Sequence, residues 1–163
     1  MTKIVEFYFD VGSPTAYLAY NRLKQLQKQY NCVIDYRPVL LGGLFKASGN
    51  SSPVMVPAKG RYMMMDDLPR FAKLYDVPLN NNPHFPINTL NLMRGAVAAL
   101  HGDYFDTYIS AVFNAIWVDS KNMGDMETVI EVLSTAGLNA PSILESTQDA
   151  DIKAKLITNT EDA

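Results

Sequence analysis

Only two stretches of this chain read as β-strands, and both lie before residue 40. Ile4–Phe9 is rich in Val, Phe and Tyr and stops at Gly12-Ser13-Pro14. Ser13 stands where a helix cap belongs, and Pro14 is preorganised for the first helical position. Tyr17, Leu18, Leu23, Leu26 and Tyr30 then recur at helical spacing, with Asn31 as the stop. Val33–Val39 is the second strand. A crossover helix of this length predicts parallel pairing, so residues 4–39 form a βαβ unit. That unit constrains everything else. Two parallel strands do not make a stable sheet alone, and parallel sheets are normally buried on both faces. The first strand is apolar almost throughout, which predicts a central position with a neighbour on each side. Nothing after residue 40 reads as a strand. The expectation is a chain cut short of further strands, rather than one completed by a partner chain.

The remainder reads as helices. Residues 40–58 are rich in Gly, Ser, Asn and Pro, predicting a loop with a short turn at 44–46. A helical pattern over 59–75 is kinked or split by Pro69. Residues 76–87, with three prolines and three consecutive asparagines, predict a loop. Asn88, Asp103 and Asp125 are then expected to cap helices running to about Leu100, Trp117 and Gly137. Asn139 with Pro141 starts a short helix, and Asp149 or Asp151 starts the last.

Composition excludes several classes. The 163 residues are 48% hydrophobic and 19% charged, which argues against disorder. A net charge of −3 and no Lys/Arg run leave no electrostatic footprint for nucleic acid. No stretch of 18 apolar residues suggests a membrane span, and the N-terminus has no signal-type apolar core. One cysteine, Cys32, excludes an internal disulfide and a cysteine-based metal site. Two histidines, His84 and His101, make no metal cluster. A reducing, cytoplasmic setting is expected.

Three motifs carry a resemblance. FYFDVGSPTAYLAY at 7–20, RPVLLGGLFKASGN at 37–50 continuing with MVPAKGRYMMMDDLPRFAKLYDVPL at 55–79, and FPINTLNLMRGAVAA at 85–99 occur in order. Together they resemble the kappa-class glutathione transferases and the 2-hydroxychromene-2-carboxylate isomerases, in the thioredoxin-like superfamily of the DsbA oxidoreductases. The resemblance covers essentially the whole chain. It implies an α/β fold in which a thioredoxin-like βαβ unit carries a large all-helical insertion. The implied organisation is residues 1–42 as the N-terminal part of the thioredoxin-like domain, 43–148 as the helical insertion, and 149–163 as the start of the returning helix. It also implies that a closing ββα part, with a cis-proline loop, lies beyond this sequence. A homodimer is implied as well.

The chemistry starts at Ser13. Ser13-Pro14-Thr15-Ala16 stands where the oxidoreductases carry Cys-Pro-x-Cys, so disulfide exchange is excluded there. What survives is a helix N-terminus, whose free N–H groups and dipole favour an anion. A thiol of pKa about 8.5 is only a few per cent ionised at neutral pH. A two-unit drop needs about 2.7 kcal/mol of differential stabilisation, which a hydroxyl donor with a helix dipole can supply. On its own, Ser-Pro also simply starts a helix. The resemblance assigns Ser13 to the glutathione thiolate, and Asn50 and Lys59 to contacts along the tripeptide. The resemblance places Asn88 near the second substrate; Lys46, read from its own position in FKASGN, is a candidate to reach an acidic organic substrate. Read without it, Lys46 and Lys59 are solvated loop lysines, and Asn88 is a helix cap.

Other residues have bland readings. Asp10 forms the turn before Gly12, and a carboxylate beside a thiolate would oppose its ionisation. Arg94 either steers an acidic substrate or makes a helix-surface salt bridge. Met63-Met64-Met65 is adaptable packing or a hydrophobic mouth. Trp117 and Tyr17 are core. The expected function is a glutathione-dependent isomerase, acting with a small electrophile that is aromatic or bears a carboxylate. A kappa-like transferase and a non-catalytic thioredoxin-like interaction module remain the alternatives.

Overall fold

The computed structural model describes residues 3–163. Strand β1 (Ile4–Phe9), helix α1 (Pro14–Tyr30) and strand β2 (Val33–Pro38) form the βαβ unit, with the strands parallel and Phe7 opposite Tyr36. Ser13 caps α1 by accepting from Ala16 N at 3.1 Å, and Asn31 ends it in the left-handed conformation. The two strands are the whole sheet among the described residues. Its inner face stacks Phe7 on Phe9 and sets Tyr36 against both. Its outer face alternates Ile4, Glu6 and Tyr8 with Val33, Asp35 and Arg37, and Arg37 pairs with Asp35 and Glu6. Among the described residues β1 pairs with β2 alone, which leaves the unpaired edge expected from the lack of a further strand, and Ile4 on its outer face is 67% exposed.

Beyond β2 the chain is helical, as anticipated, with one error. Leu41–Ser48 is a helix, α2, and not a loop. Gly42 and Gly43 each cost about 1 kcal/mol in a helix, so propensity alone argued against it. Two tertiary bonds override that cost. Leu41 N donates to Asp10 Oδ2 at 2.9 Å and Leu40 N to Thr160 Oγ1 at 3.0 Å. Gly43 is also pressed against Thr160, where a Cβ would lie 3.2 Å from a methyl carbon.

A single 3₁₀ turn at Pro53–Met55 precedes α3 (Pro57–Tyr62), and a π turn at Met63–Asp67 joins it to α4 (Leu68–Tyr75). Pro69 explains the π turn. It brings no N–H to the ladder, and the residue before it, Leu68, reaches back five positions to Met63 O. Then come α5 (Leu90–His101), α6 (Phe105–Trp117), α7 (Met126–Thr135), α8 (Ala140–Ser146) and α9 (Ala150–Glu161). Asp125 and Asn139 cap α7 and α8 with their side chains, and Gly137 is left-handed. Asp103 lies two residues before α6 with positive φ, and Tyr104 takes the cap position.

The core runs from the sheet into α5 and α6. Met93, Ile109, Val112 and Ile116 are fully enclosed. Phe113 lies 5.1 Å from Tyr20, 5.7 Å from Tyr17 and 6.1 Å from Phe9, ring centre to ring centre. One α6 side chain therefore locks the βαβ unit to the helices. Helix α9 closes against β2, where Asn159 Nδ2 donates to Pro38 O at 3.0 Å. Among the described residues, no helix is long and apolar enough to cross a membrane. Phe113→Ala should cost about 3–5 kcal/mol by denaturant unfolding, because the ring is enclosed and bridges two elements of the unit.

Candidate active site

The carboxyl end of β1 is where the chain gathers its polar groups. Asp10 is 4% exposed. Its Oδ1 accepts from Gly12 N at 2.9 Å, and its Oδ2 accepts from Leu41 N at 2.9 Å and Thr89 Oγ1 at 3.0 Å. One carboxylate thus ties the entry of α1 to the first residue of α2 and the cap position of α5. Three helix N-termini point their partial positive charge toward this corner. Burial raises the Asp10 pKa above its ordinary 3.8, and the hydrogen bonds from Leu41, Gly12 and Thr89 oppose the rise without cancelling it. The turn role foreseen for Asp10 is present in its Gly12 bond, but the longer-range bracing was missed. Its sequence signal was an acidic residue at the end of an apolar strand.

The loop Asp10–Ser13 is held from every side. Val11 N meets Met93 Sδ at 3.3 Å, and Trp117 Nε1 donates to Val11 O at 2.8 Å. Gly12 is packed so closely on Thr89 that a Cβ would lie 2.8 Å from its methyl carbon. Ser13 N donates to Asp10 O at 3.0 Å. One turn on, the Tyr17 hydroxyl donates to Pro78 O at 2.8 Å. Ser13 is therefore fixed in position and half-buried.

The local donors can be counted. Pro14 has none, Ala16 N–H is taken by Ser13 Oγ, and Tyr17 N–H by Ser13 O. This leaves Thr15 N–H and the Ser13 hydroxyl proton, at the positive end of a 17-residue helix. Ser13 Oγ accepts from Ala16 N, and its hydroxyl proton has no acceptor among the described residues, so it is free to donate. The set suits one compact anion with room for two donors.

The other candidates are spread around this corner. Asn88 Oδ1 accepts from Leu90 N at 3.1 Å, so it supports the start of α5 while Thr89 holds the formal cap position. Asn50 follows Gly49 past α2; its Oδ1 accepts from Ser51 N at 2.8 Å, leaving its amide N–H groups outward. It lies on a groove between α2, α5 and α9. Lys46 in the last turn of α2 and Lys59 in α3 are exposed, and neither lines that groove. Arg94 does line it, and makes no ion pair among the described residues. Its Nε is buried without an acceptor, a condition that costs roughly 1–3 kcal/mol. Cys32 precedes β2 and lies at the opposite end of the parallel pair, about 20 Å of strand away.

A DSBA-like thioredoxin domain model matches residues 4–163. The chain belongs to the DsbA-like thioredoxin family. Within it, the chain is 33% identical over 165 residues to glutathione S-transferase kappa 1 of Caenorhabditis elegans, covering 96% of this chain and 73% of that protein. It is 33% identical over 151 residues to 2-hydroxychromene-2-carboxylate isomerase of Sphingobium xenophagum, covering 89% and 74%. A solved 2-hydroxychromene-2-carboxylate isomerase superposes with a TM-score of 0.85 at 27% identity, over 98% of this chain and 78% of that one. The α/β fold with its helical majority and the family resemblance both stand on these matches.

The Asp10 brace yields a pH-dependent prediction. A carboxyl group with a pKa raised on folding binds its proton more tightly in the folded state. Its contribution to stability therefore falls as pH rises from about 3.8 toward the folded-state value. Urea unfolding across pH 4–7 should show this slope in the wild type and not in Asp10→Asn. Asp10→Ala strands three donors and should cost about 2 kcal/mol or more at neutral pH.

Proposed function

We propose that this chain is a glutathione-dependent isomerase of the type its isomerase relative is named for, with Ser13 stabilising the bound thiolate. The observation that carries the reading is the Ser13 cap. Its oxygen accepts from Ala16 N, so its proton and Thr15 N–H are left for an anion at the start of α1. The donor set fits a thiolate. It does not fit a dithiol couple, because positions 13 and 16 are Ser and Ala.

When bound, glutathione would supply a nucleophilic sulfur that adds to a conjugated carboxylate, permits rotation about the former double bond and is released unchanged. The protein's part is to hold that sulfur ionised and in place. The Ser13 hydroxyl donates to it, the α1 dipole favours its charge, and Asp10, Trp117 and Tyr17 keep the loop from relaxing. Asn50 and Lys59 serve the tripeptide's peptide and carboxylate groups in this reading, with Lys46 and Asn88 nearer the second substrate. Kappa-type transfer onto an electrophile needs the same activated sulfur and differs only in keeping it on the product. The match to a kappa transferase supports that second reading.

Calorimetric titration with reduced glutathione tests both. Saturable binding is expected, with the bound thiol's pKa lowered. Ser13→Ala should return that pKa toward about 8.5 and slow turnover roughly 10–100-fold. Absence of binding in the wild type would remove the glutathione readings and leave an interaction module.

A further inference from the structure

The turn Asp10–Ser13 lies between the ladder of β1 and the helical bonds of α1. Ser13 N closes it on Asp10 O at 3.0 Å, so Val11 and Gly12 are its two central residues. The peptide between them can face either way in such a turn. One orientation gives type I and the other type II, and type II needs a positive φ at the second central residue. Glycine takes that φ at no steric cost, so Gly12 leaves both states open. In the structure Gly12 has no positive φ, which excludes type II.

Both ends of this central peptide are held by side chains. Gly12 N donates to Asp10 Oδ1 at 2.9 Å. Trp117 Nε1, at the end of α6, donates to Val11 O at 2.8 Å from 106 residues away. Trp117 is fully enclosed, and a buried indole N–H needs an acceptor. From this we infer that Trp117 is a positioning residue for the Ser13 turn, its indole N–H locking the central peptide against a flip to type II. A flip turns Gly12 N–H away from Asp10 Oδ1 and brings Val11 O round toward it. The Asp10 carboxylate is then less compensated, three residues from Ser13, where its charge opposes an anion. The lock stands apart from the proposed reaction; its effect on a bound sulfur rests on that reading.

Trp117→Phe keeps an aromatic ring and removes the donor. Losing one neutral hydrogen bond shifts such an equilibrium roughly 2–10-fold. Amide exchange followed by NMR on the full chain should quicken at Gly12 by about that factor beyond any change at Val112, which reports the α6 core. Gly12→Ala with Thr89→Ser tests the mechanism. The serine removes the methyl that a Cβ at residue 12 would meet at 2.8 Å and keeps the hydroxyl. Alanine disfavours a positive φ, so type II is closed by conformation alone. Adding Trp117→Phe to that pair should give no excess exchange at residue 12 over Val112. No excess in Trp117→Phe alone, or an equal excess in both backgrounds, would overturn the lock. Should Trp117→Phe fail to fold by circular dichroism, benzothienylalanine at the chain's one tryptophan decides by the same readout, since sulfur there replaces the indole N–H. With reduced glutathione bound, the thiol's pKa should be higher in Trp117→Phe than in the wild type, and should not move when the same change is made beside Gly12→Ala and Thr89→Ser. Faster exchange with an unmoved thiol pKa would keep the lock and overturn the role of Trp117 toward the sulfur. A wild type that binds no glutathione would defeat the proposed reaction, and the exchange rates would still decide the lock.

Discussion

The structure turns on one buried carboxylate. Asp10 closes β1 and receives hydrogen bonds from the loop that becomes α1, from the first residue of α2 and from the side chain at the start of α5. Without it, Gly42 and Gly43 give α2 little reason to be helical, and Thr89 has no anchor against Gly12. Burying a charge is expensive, and the raised pKa of Asp10 shows that three donors do not offset the cost in full. The gain is positional. Three helices separated in sequence by up to 79 residues are registered on one atom group.

That geometry answers an electrostatic objection. A carboxylate near a thiolate opposes its ionisation, which counts against a direct role for Asp10. Here its oxygens are turned to donors from α2, α5 and Gly12, and its field is met by the positive ends of three helices. Ser13 N takes only the main-chain carbonyl of Asp10, and the Ser13 hydroxyl bonds Ala16 N. The brace at Asp10 and the proposed role of Ser13 lie three residues apart and use different atoms, so the first need not oppose the second.

How much of this was legible follows from the range of each interaction. The βαβ unit, the Ser13 cap, Asp125, Asn139 and the Gly137 stop are local, and short windows of sequence contain all their determinants. The Pro69 interruption was visible too, although its π form was not. Helix α2 was missed because its support comes from Asp10 and Thr160, 31 and 120 residues away along the chain. The unpaired edge of β1 was legible too, from an apolar strand with no further strand after residue 40. Apolar composition reports that a strand can be covered on both sides, not that a cover is present. For Ser13, the cap at the start of α1 was legible from Ser-Pro. That Arg94 rather than Lys46 lines the groove depends on how α5 and α9 sit beside α2, which no spacing rule encodes.

Helix α5 joins the Asp10 corner to the groove beside α2 and α9. Thr89 at its start bonds the Asp10 brace, and Arg94 lies five residues on, about 7.5 Å along the axis. Leu90 between them already belongs to the groove wall. A rigid helix with an enclosed inner face, including Met93, Ala96 and Val97, therefore sets the distance between the loop that presents Ser13 and Arg94. Preorganisation of this kind works only if neither end can drift, and both ends are tied: one by hydrogen bonds to a buried acid, the other by core packing. The fold thus holds the loop that presents Ser13 and the helix that carries Arg94 in a fixed relation.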